Sequence, residues 1–124
     1  MPLSRLFAAA ALALTFSAPA VAQPAAQTIQ LYSFGFTPNA IHLTAGRPVT
    51  LNFVNSAGGG HNFSAPSFFA AATITSGSAP NGLVELGARQ SRSITLVPRA
   101  GRYKVRCTHF LHQQMGMSGQ ILVN

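Results

Sequence analysis

Between Cys107 and Met117 the sequence reads CTHFLHQQMGM, a short stretch holding the chain's single cysteine, two of its four histidines and two of its three methionines. Thiolate, imidazole and thioether are the soft and borderline donors that select copper over magnesium or calcium. Crowded together, they have the pattern of a metal site. Cys107, His112 and Met117 follow the spacing C-x4-H-x4-M, and a connection this short can converge three donors on one ion. A further ligand should come from elsewhere in the chain. His61, directly after Gly58, Gly59 and Gly60, is the best candidate, and it would tie two distant loops together only once the chain has folded. One cysteine makes no intramolecular disulfide, so in an oxidising compartment the thiol is a liability, an intermolecular bridge or chemically employed. The neighbouring histidines and methionine favour employment as a ligand.

Positioning such a set requires two loops at one end of a scaffold. From Thr28 onward the chain is a succession of short β-type runs broken by Gly, Pro and Asn, the rhythm of an all-β sandwich. Ile29 and Leu31 alternate with Gln30 and Tyr32, Ile41 and Leu43 with His42 and Thr44, and Val49, Leu51 and Phe53 with Thr50 and Asn52. Asn55 to Gly60 is a glycine-rich loop that delivers His61. Pro66 to Ala72 reads as a short helix with Phe68 and Phe69 inward, followed by an irregular stretch through Ser76 to Ser78. Leu83 to Leu86, Ser91 to Val97, Arg102 to Cys107 and Gly119 to Val123 resume the strand pattern, giving about seven or eight strands in two sheets. Gln23 to Gln27 is Ala/Pro-rich and expected to fray. In the strand ending at the cysteine, Tyr103, Val105 and Cys107 share one face and Arg102, Lys104 and Arg106 the other. The apolar set must be buried, which places Cys107 inward, where a thiolate is costly unless a cation stabilises it. His42, alone on an alternating strand, reads as a surface histidine.

The first 22 residues carry Arg5, an apolar run from Leu6 to Phe16 and a small-x-small site at Ala20-Val21-Ala22. That is the anatomy of a secretory signal peptide, too short to span a bilayer. Subtracting 22 from 124 leaves 102 residues, 23–124, enough for one small domain. The chain has eight Lys and Arg against one acidic residue, Glu85, for a net charge of +7, or +6 without Arg5. Acidic partners are implied. Nucleic acid is not, because the cations are spread along strand edges, with no basic helix, finger or RNA-binding motif.

With these residues in view, the chain resembles the cupredoxins, the small blue copper proteins, and its ligand loop is most similar in spacing to the rusticyanin and auracyanin type. The resemblance runs through the whole of 23–124: an opening β-pattern, His61-Asn62 after a mid-chain loop, a Gly-x-Tyr-x-x-x-Cys strand and Met-x-Gly-x-Ile at the close. It implies a two-sheet Greek-key sandwich in which His61, Cys107 and His112 form a trigonal set around one copper ion, with Met117 as weak axial ligand. Met115, three residues after His112, is the second choice for that position. Asn62 matches the family position whose side chain stitches the two ligand loops near the sulfur. His109, two residues after Cys107, departs from the family pattern, as does Leu111, where a glycine is common. An outer or exposed role is expected for His109; as an added ligand it would move the site from blue toward green or red.

The function implied is electron transfer by a periplasmic protein whose copper cycles between Cu(I) and Cu(II), with no enzymatic activity. Phe110 and Leu111, with Met115, would form an apolar docking patch around the exposed edge of His112. Arg102, Lys104 and Arg106 would steer an acidic redox partner toward a monomer. Two rivals are a periplasmic copper carrier or storage protein, expected to expose several exchangeable methionines and histidines, and a copper site reactive toward a small molecule.

Overall fold

The computed structural model describes residues 2–4, 7–17, 23–109, 112 and 115–124. Among the described residues, ten strands form two five-stranded sheets. The first sheet is ordered β2-β1-β4-β8-β6, from β1 (Ala25–Tyr32), β2 (Gly35–Thr37), β4 (Val49–Asn55), β6 (Thr73–Ser76) and β8 (Ser91–Val97). The second is ordered β3-β10-β9-β5-β7, from β3 (Ala40–Leu43), β5 (His61–Ser64), β7 (Leu83–Leu86), β9 (Gly101–Arg106) and β10 (Ser118–Val123). The parallel pairs β1 with β4 and β3 with β10 join strands distant in sequence. Connections that cross between the sheets place them so, making a Greek-key sandwich.

The alternation read from the sequence is the alternation of burial. Along β4, Val49, Leu51 and Phe53 face the core, and along β3, Ile41 and Leu43 face in while His42 faces out. In β9, Val105 is buried, Tyr103 half-buried, and Arg102, Lys104 and Arg106 are exposed. Phe63 binds the two inner faces together, with ring centroids 4.8 Å from Phe53, 5.6 Å from Phe36 and 6.2 Å from Phe69. Burying aromatic side chains of this size contributes strongly to the fold. The helix α1 (Pro66–Ala71) starts on a proline, whose missing N–H costs nothing at the first turn, and it seats Phe68 and Phe69 under the sheets as expected.

Three expectations are corrected. The Ala/Pro-rich start does not fray beyond Pro24, because Ala25 to Gln27 already pair in parallel with Val49 to Leu51, a ladder anchored by Ile29 and Leu31 downstream. The stretch after the helix is an edge strand, β6, paired with β8 through an irregular register between Ile74 and Ser76. Among the described residues there are ten strands rather than seven or eight, because the short strands β2, β5 and β6 carry no readable alternation. In β5 all four side chains, His61 to Ser64, are buried, so the pattern that marks a half-exposed strand is missing. Residues 2–4 and 7–17 adopt neither helix nor strand, and no helix among the described residues is long and apolar enough to cross a membrane.

Candidate metal centre

His61 opens β5 and Cys107 stands one residue past the end of β9. These strands are antiparallel neighbours through Ser64 and Arg106, so the start of one and the end of the other meet at the same edge of the sandwich. The turn after Cys107 then brings His112 back over both. Its backbone is held by hydrogen bonds from the Cys107 N–H to the Met117 carbonyl (3.1 Å), from the His112 N–H to the His109 carbonyl (3.1 Å) and from the Met117 N–H to the His112 carbonyl (3.0 Å). Gly116, at φ +91°, makes the left-handed turn that returns the chain to β10.

His61, Cys107 and His112 converge. The His61 and His112 Nδ1 atoms lie 3.1 Å apart, and the Cys107 Sγ lies 3.4 Å from the His112 Nδ1 and 3.9 Å from the His61 Nδ1. With metal–nitrogen contacts of about 2.0 Å and a metal–sulfur contact of about 2.3 Å, a trigonal centre has nitrogens about 3.5 Å apart and each about 3.7 Å from sulfur. The observed triangle agrees within about half an ångström. Cys107 is fully buried and His61 nearly so. A buried thiolate with two imidazole nitrogens turned toward it is a donor set suited to a soft cation. Met117, at the end of this loop, is fully buried, whereas Met115 is 58% exposed. Phe110 and Leu111 lie outside the described residues.

Each donor is oriented by the protein. The Nε2 of His61 meets the Ser33 Oγ at 3.1 Å, which commits that nitrogen and leaves Nδ1 for the centre. Phe34 packs edge-on to His61 and His112, with centroids at 6.5 and 5.0 Å. The Asn62 backbone N–H donates to the Cys107 Sγ at 3.4 Å. The Asn62 side chain does the stitching between loops: its Oδ1 accepts the Thr108 N–H (2.9 Å), and its Nδ2 donates to the Thr108 Oγ1 (2.7 Å) and to Glu85 Oε2 (3.0 Å). Upstream, buried Asn55 knots the glycine loop. Its Nδ2 donates to the carbonyls of Gly59 (2.8 Å) and Gly87 (2.9 Å), and its Oδ1 accepts the Ala57 N–H. Burial pushes the His61 imidazole below its ordinary pKa, and the neighbouring His112 and His109 push it the same way, against a smaller opposing effect of Glu85.

His109 is close but turned aside. Its ring stacks on His112 at 5.4 Å with planes 17° apart, while its Nε2 binds the Glu85 carboxylate at 2.5 Å. The sequence by itself does not single out Ser33, Phe34, Asn55, Glu85 or Thr108 as parts of a site. Of these only Glu85 carries a signal, as the single acidic residue in the chain.

The sandwich and its ligand triangle are those of a copper-binding β-protein, and the family model of copper binding proteins of the plastocyanin/azurin family matches residues 24–124. The chain belongs to that family, whose members are electron carriers, and its site fits one copper ion. Among solved structures it is similar to auracyanin B, at 23% identity over 85% of this chain and 93% of that one, with a TM-score of 0.60. It is also similar to a dithionite-reduced auracyanin from the photosynthetic bacterium Roseiflexus castenholzii, at 20% identity over 84% of this chain and 99% of that one, with a TM-score of 0.60. Auracyanin A, a "blue" copper protein from the green thermophilic photosynthetic bacterium Chloroflexus aurantiacus, matches at 18% identity over 82% of this chain and 100% of that one, with a TM-score of 0.59. At these identities the likeness is one of fold. No curated protein matches the chain in sequence.

Proposed function

We propose that this chain is an exported, monomeric electron-transfer protein of the periplasm, in which residues 1–22 direct export and residues 23–124 form the working domain. His61, Cys107 and His112 hold the copper ion, with Met117 as the weak axial ligand. Copper supplies one-electron chemistry by cycling between Cu(I) and Cu(II). The observation that carries this reading is the convergence of two Nδ1 atoms and one thiol sulfur within 4.8 Å of one another in a largely buried position. Met117 takes the axial role over Met115 because it is fully buried while Met115 is exposed to solvent. Burial of Cys107 also favours electron transfer over a carrier, which would offer exposed, exchangeable ligands. The His112 ring commits Nδ1 inward and is only half-buried, so its outer edge is the exit for the electron.

The partner is an acidic redox protein. Arg102, Lys104 and Arg106 project from one face of β9, spaced about 7 Å apart along the strand, and they line an open groove of about 770 Å³ with Ser67, Asn39 and Gln120. Arg106 immediately precedes Cys107, so the cationic stripe ends beside the site. Adding Cu(II) to the purified protein and recording the visible spectrum tests the assignment. An intense thiolate-to-copper band is expected, lost in Cys107→Ser, with a raised reduction potential in Met117→Leu. A wild-type protein without that band refutes the copper reading, and an unchanged spectrum and potential in Met117→Leu refutes the axial assignment.

A further inference from the structure

His109 presents a problem that the ligand triangle does not resolve. A third imidazole sits two residues from Cys107, with its ring centroid 5.4 Å from His112 and 6.4 Å from His61. That is within a side-chain rotation of the point on which the donors converge. A third nitrogen there would favour the tetragonal arrangements Cu(II) prefers with nitrogen and oxygen donors, at the expense of the trigonal thiolate site.

We propose that Glu85 is a positioning residue that holds His109 off the metal and so keeps the donor set at two imidazoles and one thiolate. This rests on the copper assignment made above. Glu85 lies on β7 opposite Asn62 on β5, and both oxygens of its carboxylate are engaged at the rim of the site. Oε1 binds the His109 Nε2 and Oε2 accepts the Asn62 Nδ2. The bond to Asn62 aims the carboxylate, and the carboxylate then draws His109 outward. The sequence holds eight Lys and Arg against this one acidic residue, yet among the described residues its carboxylate meets an imidazole beside the metal centre and no Lys or Arg. Gly60 completes the seat. A Cβ at that position would stand 3.0 Å from the His109 Cε1, so the ring rests against backbone that only glycine leaves bare. Carboxylate on one side, glycine on another and the stacked face of His112 define a resting place in which the ring's Nε2 is engaged by Glu85.

The inference is tested in the copper-loaded chain with Glu85→Gln, Glu85→Ala, His109→Ala and the double variant Glu85→Ala/His109→Ala, by visible absorption and electron paramagnetic resonance. Loss of the carboxylate is expected to weaken the thiolate band, raise a second band at higher energy and widen the copper hyperfine splitting. His109→Ala should match wild type, and the double variant should return to the His109→Ala spectrum. Glu85 variants with the wild-type spectrum overturn the proposal. So does a changed spectrum that persists in the double variant, since Glu85 would then act through Asn62. A wild-type protein with no thiolate band overturns the copper reading itself, and the inference with it. In the metal-free protein, a nuclear Overhauser contact between the His109 Cε1 proton and the Gly60 α-protons is expected in wild type and lost in Glu85→Ala. Its survival in that variant overturns the proposal without reference to copper.

Discussion

Replacing Asn62 with alanine removes the side chain that fastens the β5 loop to the cysteine loop. Asn62 is 3% exposed and makes three side-chain hydrogen bonds, two with Thr108 and one with Glu85. A net contribution of about 1 kcal/mol for each Thr108 bond is appropriate, and about 0.5 kcal/mol for the bond to Glu85, whose carboxylate is half exposed and screened by water. Thr108 is itself exposed, so water can take over its N–H, which keeps the total from rising further. The expected loss is about 2 to 2.5 kcal/mol. With a urea slope of about 1.5 kcal/mol/M, the unfolding midpoint of the metal-free protein falls by about 1.5 M. Thr108→Val keeps the backbone bond and loses only the hydroxyl, so it should cost about 1 kcal/mol. Because both variants remove one shared bond, the double variant should fall short of additivity by about 1 kcal/mol. A loss below about 0.5 kcal/mol for Asn62→Ala, or full additivity, would show that the loops are held by other means. The contact from the residue 62 backbone N–H to sulfur survives the substitution, so the cysteine stays in place while its loop loosens.

Asn55→Ala strips partners from the carbonyls of Gly59 and Gly87 at a buried position, and a cost of about 2 to 3 kcal/mol is expected from urea unfolding; a cost under about 1 kcal/mol would mean the glycine loop does not depend on it. The His61 imidazole has a lowered pKa in the fold, so the unfolded chain binds the proton more readily. The metal-free protein therefore has its full stability above about pH 6.5 and loses part of it as pH falls from there toward the folded value; thermal unfolding midpoints that rise on acidification across that range would contradict this sign. Glu85 is the only side-chain carboxylate available for acid unfolding, so the copper-loaded fold should persist until its histidines protonate. Loss of backbone circular dichroism while copper is still bound would refute that. Association with an acidic redox protein should slow steeply as salt rises, and a rate indifferent to ionic strength would remove Arg102, Lys104 and Arg106 as steering groups.

What is legible in the sequence is local. The alternation in β3, β4, β8 and β9 follows from a two-residue period that any half-buried strand must show, and that period alone is enough to place Val105 and Cys107 inward. The C-x4-H-x4-M run is legible for the same reason, since its members are close in the chain. What escapes is set by pairings between distant segments. Ser33 and Phe34 reach His61 from the end of the first strand, 28 and 27 residues earlier, and no feature of their own neighbourhood announces it. Glu85 meets Asn62 only because β5 and β7 pair in that register. β5 itself, buried on both sides, has no alternation to read.

The distribution of these bonds bears on how the centre works. Low reorganisation in electron transfer requires that the ligands stay where they are as the ion's charge changes. Here each is fixed by contacts that do not involve an ion: His61 by Ser33 and Phe34, Cys107 by the Asn62 N–H and the Met117 carbonyl, His112 by the His109 carbonyl and the ring of Phe34. Most of these partners come from a different strand or loop than the ligand they hold, so no single segment can relax without distorting the others. On the proposed copper assignment, the sandwich rather than the preference of either oxidation state would thereby impose the geometry. Glu85 extends the same logic outward, since a third imidazole free to approach Cu(II) and withdraw from Cu(I) would add the very movement that the rest of the site suppresses.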